Sequence, residues 1–209
     1  LTKGQYSPTS EEGKVTKSTP FGSVDHPFNP VALALGAEAT FVARSVDNDR
    51  AHLTEILRRA AAHRGAAFVE IYQNCNVFND GAFDLLREKP QGAHNQIRLE
   101  DGQPIVFDEG RRCVAVGANG RLGIADVGDV RSEDIVVHDA KGDPSLPFSL
   151  ANLSRGPHEP TCIGVFREVE RAVYGDAMLA QIEATTERLG KGTLEGLLRS
   201  GDTWDVAAG

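Results

Sequence analysis

Ala66 to Phe83 reads Ala-Ala-Phe-Val-Glu-Ile-Tyr-Gln-Asn-Cys-Asn-Val-Phe-Asn-Asp-Gly-Ala-Phe, and this stretch indicates the fold class. It opens with an apolar, β-branched and aromatic run at Phe68–Tyr72, which predicts a strand of a buried parallel sheet. A polar loop that holds Cys75 follows, and Asn79-Asp80-Gly81 then turns the chain into a helical pattern. Because ligands bind beyond the carboxyl ends of strands in open α/β sheets, Cys75 is either a site residue or a small buried hydrophobe. Spacing alone favours the second interpretation, since free cysteine is among the most buried residue types.

The residues before this strand complete a strand–helix–strand pattern. Ala39–Arg44 is a second apolar run, and Asp47 or Asp49 caps a helix that ends near Gly65. Its apolar residues recur at helical spacing: Leu53, Ile56, Leu57 and Ala60. We therefore predict two parallel strands joined by a right-handed crossover.

After Lys89-Pro90 the pattern changes to short strands. We predict them at residues 96–99, 104–107, 112–116, 121–125, 134–138 and 161–166. Ala118-Asn119-Gly120 predicts a hairpin between two of them. Helical patterns occupy Phe148–Leu153, Gly175–Leu189 and Thr193–Leu198.

Composition excludes several classes of function. The 209 residues suffice for one domain with or without an appendage, and 40% apolar residues suffice for a core. The 22 basic and 30 acidic residues give a net charge of −8, which argues against nucleic acid as a partner. The three cysteines are far apart and do not form a disulfide framework, so we expect a reducing cytoplasm. With no apolar run of membrane-spanning length and no signal peptide, we expect no membrane partner.

The first ten residues carry many groups that could bind a ligand. Gly4 frees the backbone, and hydroxyl and amide side chains surround it. Lys3 supplies a point charge suited to a carboxylate or a phosphate. The alternative is an exposed, solvated segment, which composition alone favours. Since the chain starts at Leu1 rather than methionine, we expect that an upstream half is missing from it.

Four motifs taken together resemble a known family. They are Leu1–Ser10, Thr16–Ser23, Phe28-Asn29-Pro30 and Ile71–Asn79. In this order they resemble the β subunit of 2-oxoacid:ferredoxin oxidoreductases, most closely the bacterial 2-oxoglutarate type, also called 2-oxoglutarate synthase. The resemblance covers residues 1–83 well and the later part only in general terms.

The resemblance implies an α/β thiamine diphosphate-binding fold, with a parallel sheet and helices on both faces, plus a C-terminal β-rich and helical extension. Residues 1–90 would be the C-terminal portion of the thiamine diphosphate-binding domain, and residues 91–209 the extension. The implied cofactors are thiamine diphosphate, Mg²⁺ and one 4Fe–4S cluster. The implied partners are an α subunit, ferredoxin, coenzyme A and the 2-oxoacid.

The implied reaction is the oxidative decarboxylation of 2-oxoglutarate with coenzyme A, which gives succinyl-CoA, CO₂ and reduced ferredoxin. One alternative is a β subunit that acts on pyruvate or on a broad range of 2-oxoacids. Another is a non-catalytic subunit-interface module in which the loop cysteine is structural.

The same resemblance implies roles for single residues. Leu1 and Lys3 would bind the substrate, with Lys3 at its distal carboxylate, and Thr2 and Gln5 would bind the thiamine cofactor. Cys75 would be the fourth ligand of the cluster, and no catalytic residue is assigned. The family's Gly-Asp-Gly metal-binding motif and its other three cluster cysteines would lie upstream of this chain. We therefore expect the chain alone to hold neither a cluster nor a complete Mg²⁺ site.

Overall fold

The computed structural model describes residues 3–154, 156, 158–204 and 206. The strands within these residues are β1 (Phe41–Val46), β2 (Ala67–Tyr72), β3 (Gln96–Leu99), β4 (Val106–Phe107), β5 (Arg112–Val116), β6 (Leu122–Asp126) and β7 (Thr161–Glu168). The α-helices are α1 (Pro30–Gly36), α2 (Arg50–Ala62), α3 (Asp84–Arg87), α4 (Gln91–Asn95), α5 (Ser145–Ala151), α6 (Tyr174–Leu189) and α7 (Leu194–Leu198). The chain forms two compact units, residues 1–171 and residues 172–209.

The larger unit is built on a four-stranded sheet in the order β2-β1-β7-β3. β1 is parallel to β2, and β3 is parallel to β7, but β7 runs antiparallel to β1. The predicted α/β class is confirmed, although the sheet is mixed rather than wholly parallel. The central strands β1 and β7 are buried along almost their whole length, which explains their continuous apolar runs. The run at Phe68–Tyr72 forms the predicted strand, but β2 is an edge strand and is only half-buried.

Helices cover both faces of this sheet, as predicted. On one face α1 and α5 pack with Val42 and Phe166 in the main core. On the other face Ile56 of α2 packs with Phe41 and Val165. Full burial of one such side chain stabilises the fold by roughly 1.5–3 kcal/mol.

Side-chain caps start α1 and α2. The side chain of Asn29 accepts a hydrogen bond from Ala32 N at 3.1 Å, and its Nδ2 donates to Ala151 O at 2.8 Å. Asn29 therefore starts α1 and also ties it to the end of α5. Asp49, one of the two predicted caps, accepts from His52 N at 3.1 Å and starts α2.

The other predicted cap, Asp47, has a different role. It accepts from Asn74 N at 3.2 Å and pairs with Arg87 at 2.5 Å. It therefore holds the loop that follows β2 against α3.

β4, β5 and β6 form a separate antiparallel sheet, and the predicted hairpin joins β5 to β6. The strand predicted at residues 134–138 is not regular, because Ile135 and Val137 make only isolated bridges. The backbone of this segment alternates between two partners: Val136 N donates to Val114 O at 2.9 Å, whereas His138 N donates to Gln103 O at 2.9 Å.

The domain boundary at residue 90 stays a prediction, and the compact unit that contains it extends past this residue. β3 and β7 belong to the main sheet, and the three-stranded sheet shares its core. The first compact unit therefore continues to residue 171.

The smaller unit contains α6 and α7. Thr193 caps α7 by accepting from Gly196 N at 3.1 Å. Leu179, Ile182, Leu197 and Trp204 are exposed in this unit. In the part of the chain that the structure describes, no helix has the length and apolar character needed to cross a membrane.

Candidate functional site

A cavity of about 560 Å³ lies beside the carboxyl end of β2. Its walls come from the start of the chain (residues 7, 9–11 and 26–30), from Arg44 of β1, from the end of β2 and the region after it, and from the end of α5 and the residues that follow. The cavity thus lies at the strand end where the sequence predicts a ligand.

A buried ion pair that sequence reasoning missed lines this cavity. Arg44 is 3% exposed, and its Nε donates to Glu70 Oε2 at 2.6 Å. Its Nη1 donates to Cys162 O at 3.3 Å, and the guanidinium lies 5.1 Å from the ring centre of Tyr72 and 5.4 Å from that of Phe166. Arg44 lies within the apolar strand β1, and Glu70 lies within the neighbouring strand β2. The parallel register of these two strands places Arg44 opposite Glu70, so that the two charges neutralise each other.

Burial and nearby charges set the ionisation of Arg44 and of Tyr72. Burial acts to lower the pKa of Arg44, but Tyr72 and Glu70 raise it overall, so the guanidinium stays charged. Burial raises the pKa of Tyr72 to about 12, so this phenol is neutral at physiological pH.

A second cavity of about 570 Å³ is formed by the N-terminal segment itself. Tyr6 OH donates to Asp25 Oδ2 at 2.5 Å at its edge, and this hydrogen bond raises the pKa of Tyr6. Backbone bonds such as Phe28 N to Pro8 O at 2.7 Å fold the segment back on itself.

The predicted N-terminal site residues are distributed unevenly around these cavities. Gln5 lines the second cavity. Lys3 is exposed and lines neither of them. Leu1 and Thr2 lie outside the described residues, so their assignments remain predictions.

Cys75 is exposed in the loop after β2, which contradicts its interpretation as a small buried hydrophobe. Asn79 N donates to Cys75 O at 2.9 Å and closes a tight turn. The backbone N–H groups of Phe78 and Val77, and then that of Asn79, lower the pKa of the Cys75 thiol. Asn74 braces the turn, because its Oδ1 accepts from Gly81 N at 3.0 Å. We name residues 75–79 the cysteine turn.

The other two cysteines have the opposite character. Cys113 and Cys162 are buried, and burial raises the pKa of both thiols, that of Cys162 to about 12. Thiolates are the metal-binding form of cysteine, so Cys75 alone among the three has the environment of a ligand. Within residues 3–154, 156, 158–204 and 206, no group of three or more His, Cys, Asp or Glu side chains is placed to hold a metal ion.

The structure brings the N-terminal segment into contact with the cysteine turn at two points. Gly4 has φ +82°, and a Cβ at this position would lie 2.9 Å from Phe78 Cδ1. Lys14 Nζ donates to Asn79 Oδ1 at 2.6 Å and also pairs with Glu11 at 3.0 Å. The two regions that carry the predicted ligand-binding residues are therefore neighbours in space.

Comparison with known proteins gives consistent results. Residues 1–71 match the family described as thiamine pyrophosphate enzyme, C-terminal TPP binding domain, which supports thiamine diphosphate as a cofactor. The chain is 54% identical over 211 aligned residues to 2-oxoglutarate oxidoreductase subunit KorB of Mycobacterium tuberculosis, covering 99% of this chain and 56% of that protein. It is 45% identical over 80 residues to the 2-oxoacid:ferredoxin oxidoreductase subunit beta of Saccharolobus solfataricus, covering 38% of this chain and 26% of that one.

A solved structure shares the fold. It is the 2-oxoglutarate:ferredoxin oxidoreductase from Magnetococcus marinus with 2-oxoglutarate, coenzyme A and succinyl-CoA bound. The match has a TM-score of 0.62 at 21% identity, and it covers 97% of this chain and 54% of that one. The chain thus spans little more than half the length of its mycobacterial relative and of this solved chain. By its sequence, the chain is homologous to the β subunits of the 2-oxoacid:ferredoxin oxidoreductases, and the relationship predicted from its motifs is confirmed.

Proposed function

We propose that this chain is part of the β subunit of a 2-oxoglutarate:ferredoxin oxidoreductase. Working with an α subunit, the enzyme would convert 2-oxoglutarate, coenzyme A and oxidised ferredoxin into succinyl-CoA, CO₂ and reduced ferredoxin. The observation that carries the proposal is the 54% identity to the mycobacterial subunit over nearly the whole chain. The contact between the N-terminal segment and the cysteine turn supports it, because the reaction requires electrons to pass from the substrate site to a nearby acceptor.

The residues present fit a thiamine site. Gln5 offers an amide at the edge of a cavity, and the family resemblance implies a cofactor-binding hydroxyl at Thr2. When bound, thiamine diphosphate supplies an electron sink for the bond that breaks in decarboxylation. The chain's own role would be to orient the cofactor and the oxoacid. We propose that the Mg²⁺ accompanying the diphosphate is bound mainly by residues that this chain does not contain.

Cys75 fits one ligand position of a 4Fe–4S cluster. The thiol is exposed, its pKa is lowered, and backbone N–H groups of the cysteine turn point towards the sulfur. Such N–H donors stabilise a thiolate and tune the potential of the cluster it binds. The remaining ligands would come from outside this chain. We propose that the enzyme works in the reducing cytoplasm.

Lys3 would set the choice of substrate. Pyruvate and 2-oxoglutarate share the reacting end and differ in the distal carboxylate, which an exposed ammonium can bind. A hydrogen bond to a charged group contributes about 1.5–3 kcal/mol, which corresponds to roughly a 10- to 150-fold preference. Lys3 would act on the substrate by charge and would take no part in bond breaking.

The test measures kcat/KM for both oxoacids in the complete αβ enzyme. Lys3→Ala should lower the value for 2-oxoglutarate by about 10- to 150-fold and leave that for pyruvate nearly unchanged. Lys17→Ala, an exposed lysine of the same segment, is the matched control and should change neither. An equal loss for both oxoacids would assign Lys3 to the cofactor or to the fold, and no loss for either would show that another residue holds the carboxylate.

A second measurement tests the cluster ligand directly. Cys75→Ser in the same complex should lower the iron content and the visible absorption of the cluster while thiamine diphosphate still binds. A variant with full iron content and normal ferredoxin reduction would refute the assignment of Cys75.

A further inference from the structure

We propose that Lys14 is a positioning residue for the cluster ligand Cys75, and that its ammonium makes the cluster easier to reduce. This inference rests on the proposed function for its cluster. No motif discussed above assigns a role to Lys14, which lies between the Leu1–Ser10 and Thr16–Ser23 motifs.

The geometry makes Lys14 a bridge between two regions that are distant in sequence. Its Nζ donates to Asn79 Oδ1 at 2.6 Å, and the two residues are 65 positions apart. Asn79 in turn donates its backbone N–H to Cys75 O at 2.9 Å. The ammonium is therefore connected to the backbone of the cluster ligand through one residue.

Lys14 is itself held in place. Its side chain is 24% exposed, and it forms an ion pair at 3.0 Å with Glu11, whose side chain is 28% exposed. Its backbone is fixed as well, because Ser23 N donates to Lys14 O at 3.0 Å. A partly buried, doubly anchored charge is screened less by solvent than a freely moving surface lysine.

The contact between Gly4 and Phe78 gives the bridge a second support. Gly4 lies against the ring of Phe78, and Phe78 directly precedes Asn79 in the sequence. With both contacts made, residues 3–5 and the cysteine turn are held together rather than moving independently. Lys14 would thus fix the orientation of the turn whose N–H groups face the Cys75 sulfur.

The charge effect has a definite sign. Reduction adds one negative charge to a cluster, so a fixed positive charge nearby favours the reduced state. Lys14→Gln removes the positive charge and replaces the charge-assisted hydrogen bond to Asn79 with at most a weaker neutral one. Among the described residues, it also leaves Glu11 with only the 4.0 Å contact to His158 Nε2. The midpoint potential should then shift to a more negative value. Glu11→Gln removes the negative charge and should shift the potential in the opposite direction.

The simpler alternative is that Lys14 only stabilises its own loop through the local pair with Glu11. In that case both substitutions would weaken the same pair, and neither would move the cluster potential. The opposite signs expected for the two variants distinguish the alternatives.

The experiment uses an EPR-monitored redox titration of the αβ complex, in wild type and in Lys14→Gln, Glu11→Gln, Lys14→Arg and the control Lys17→Gln. We expect a negative shift for Lys14→Gln, a positive shift for Glu11→Gln, and values near wild type for the other two. Hydrogen exchange of the peptide that spans residues 75–79 is measured in parallel, and it should be several-fold faster in Lys14→Gln than in Lys17→Gln.

Each other outcome has a definite meaning. An unchanged potential in Lys14→Gln overturns the inference, whether or not exchange becomes faster, because a merely structural tie would change only the exchange rate. A shift of the same sign in Lys14→Gln and Glu11→Gln also overturns it. A wild-type complex without a cluster signal would refute the proposed function instead. Exchange in Lys14→Gln as slow as in Lys17→Gln would show that Lys14 does not hold the turn, and would overturn its positioning role.

Discussion

Removal of Glu70 should destabilise the protein far more than removal of an ordinary surface carboxylate. The side chains of Arg44 and Glu70 are only 4% and 15% exposed, and their N–O distance is 2.6 Å. Glu70→Ala leaves a buried guanidinium without its counter-charge, which costs about 3–5 kcal/mol of unfolding free energy. For a protein of this size, each kcal/mol lowers the melting temperature by about 2–4 °C, so we expect a decrease of about 6–20 °C.

The assay is urea unfolding at pH 7, with thermal unfolding as a second readout. Glu55→Ala is the matched control, because Glu55 pairs with Arg58 at 2.8 Å but both side chains are more than half exposed. The control should lose no more than about 1 kcal/mol. The double variant Arg44→Met/Glu70→Leu should recover most of the stability, since it removes both buried charges. A loss below about 1 kcal/mol in Glu70→Ala would refute the reasoning, because Arg44 would then be adequately neutralised without Glu70.

Three further predictions concern ionisable groups. In the native chain iodoacetamide should alkylate Cys75 and spare the buried Cys113 and Cys162. Intact mass should show one adduct in the native chain and three adducts in urea. Two adducts in the native chain would contradict this prediction. Burial raises the pKa of Tyr72 to about 12, so stability should fall as the pH rises from about 10 towards 12, where only the unfolded state loses this proton. Unfolding curves of Tyr72→Phe should show a smaller alkaline loss, and an equal loss would exclude Tyr72 as the cause. Burial lowers the pKa of His138. The contribution of the neutral imidazole to the free energy of unfolding is therefore present above about pH 6.5 and is lost at lower pH, where the unfolded state takes up the proton first. Urea titrations at pH 7 and pH 5 should therefore differ less in His138→Gln than in wild type, and a difference as large as that of wild type would contradict this origin.

The parts of the fold that were predictable from the sequence depend on local signals. β1, α2 and β2 follow from apolar runs and from the cap at Asp49, all of which act within a few residues. The position of β7 was not predictable, because its pairing with β1 and β3 joins distant parts of the chain. The segment around Val136 was predicted as a regular strand from its local apolar pattern. In the structure its N–H groups bond to two different segments, at Val114 and at Gln103, which a local pattern does not reveal.

The candidate site divides in the same way. The motif around Cys75 pointed to a ligand, and the structure adds the exposure and the N–H groups that spacing could not provide. The pair of Arg44 and Glu70 was missed because it depends on the register between two strands. The bridge from Lys14 to Asn79 was missed because no local pattern links residues 65 positions apart.

The central position of β7 has a consequence for how the protein is made. Arg44 and Cys162 are 118 positions apart, yet both belong to the pair of strands at the centre of the sheet. A growing polypeptide therefore carries β1 and β3 before the strand that joins them has emerged from the ribosome. During that interval the edge of β1 presents unpaired backbone groups and apolar side chains such as Val42, the kind of surface that chaperones bind and that aggregates form from. Because the closing contacts are non-local, the sheet should form slowly, and a chain that stops before Thr161 should be unable to complete it.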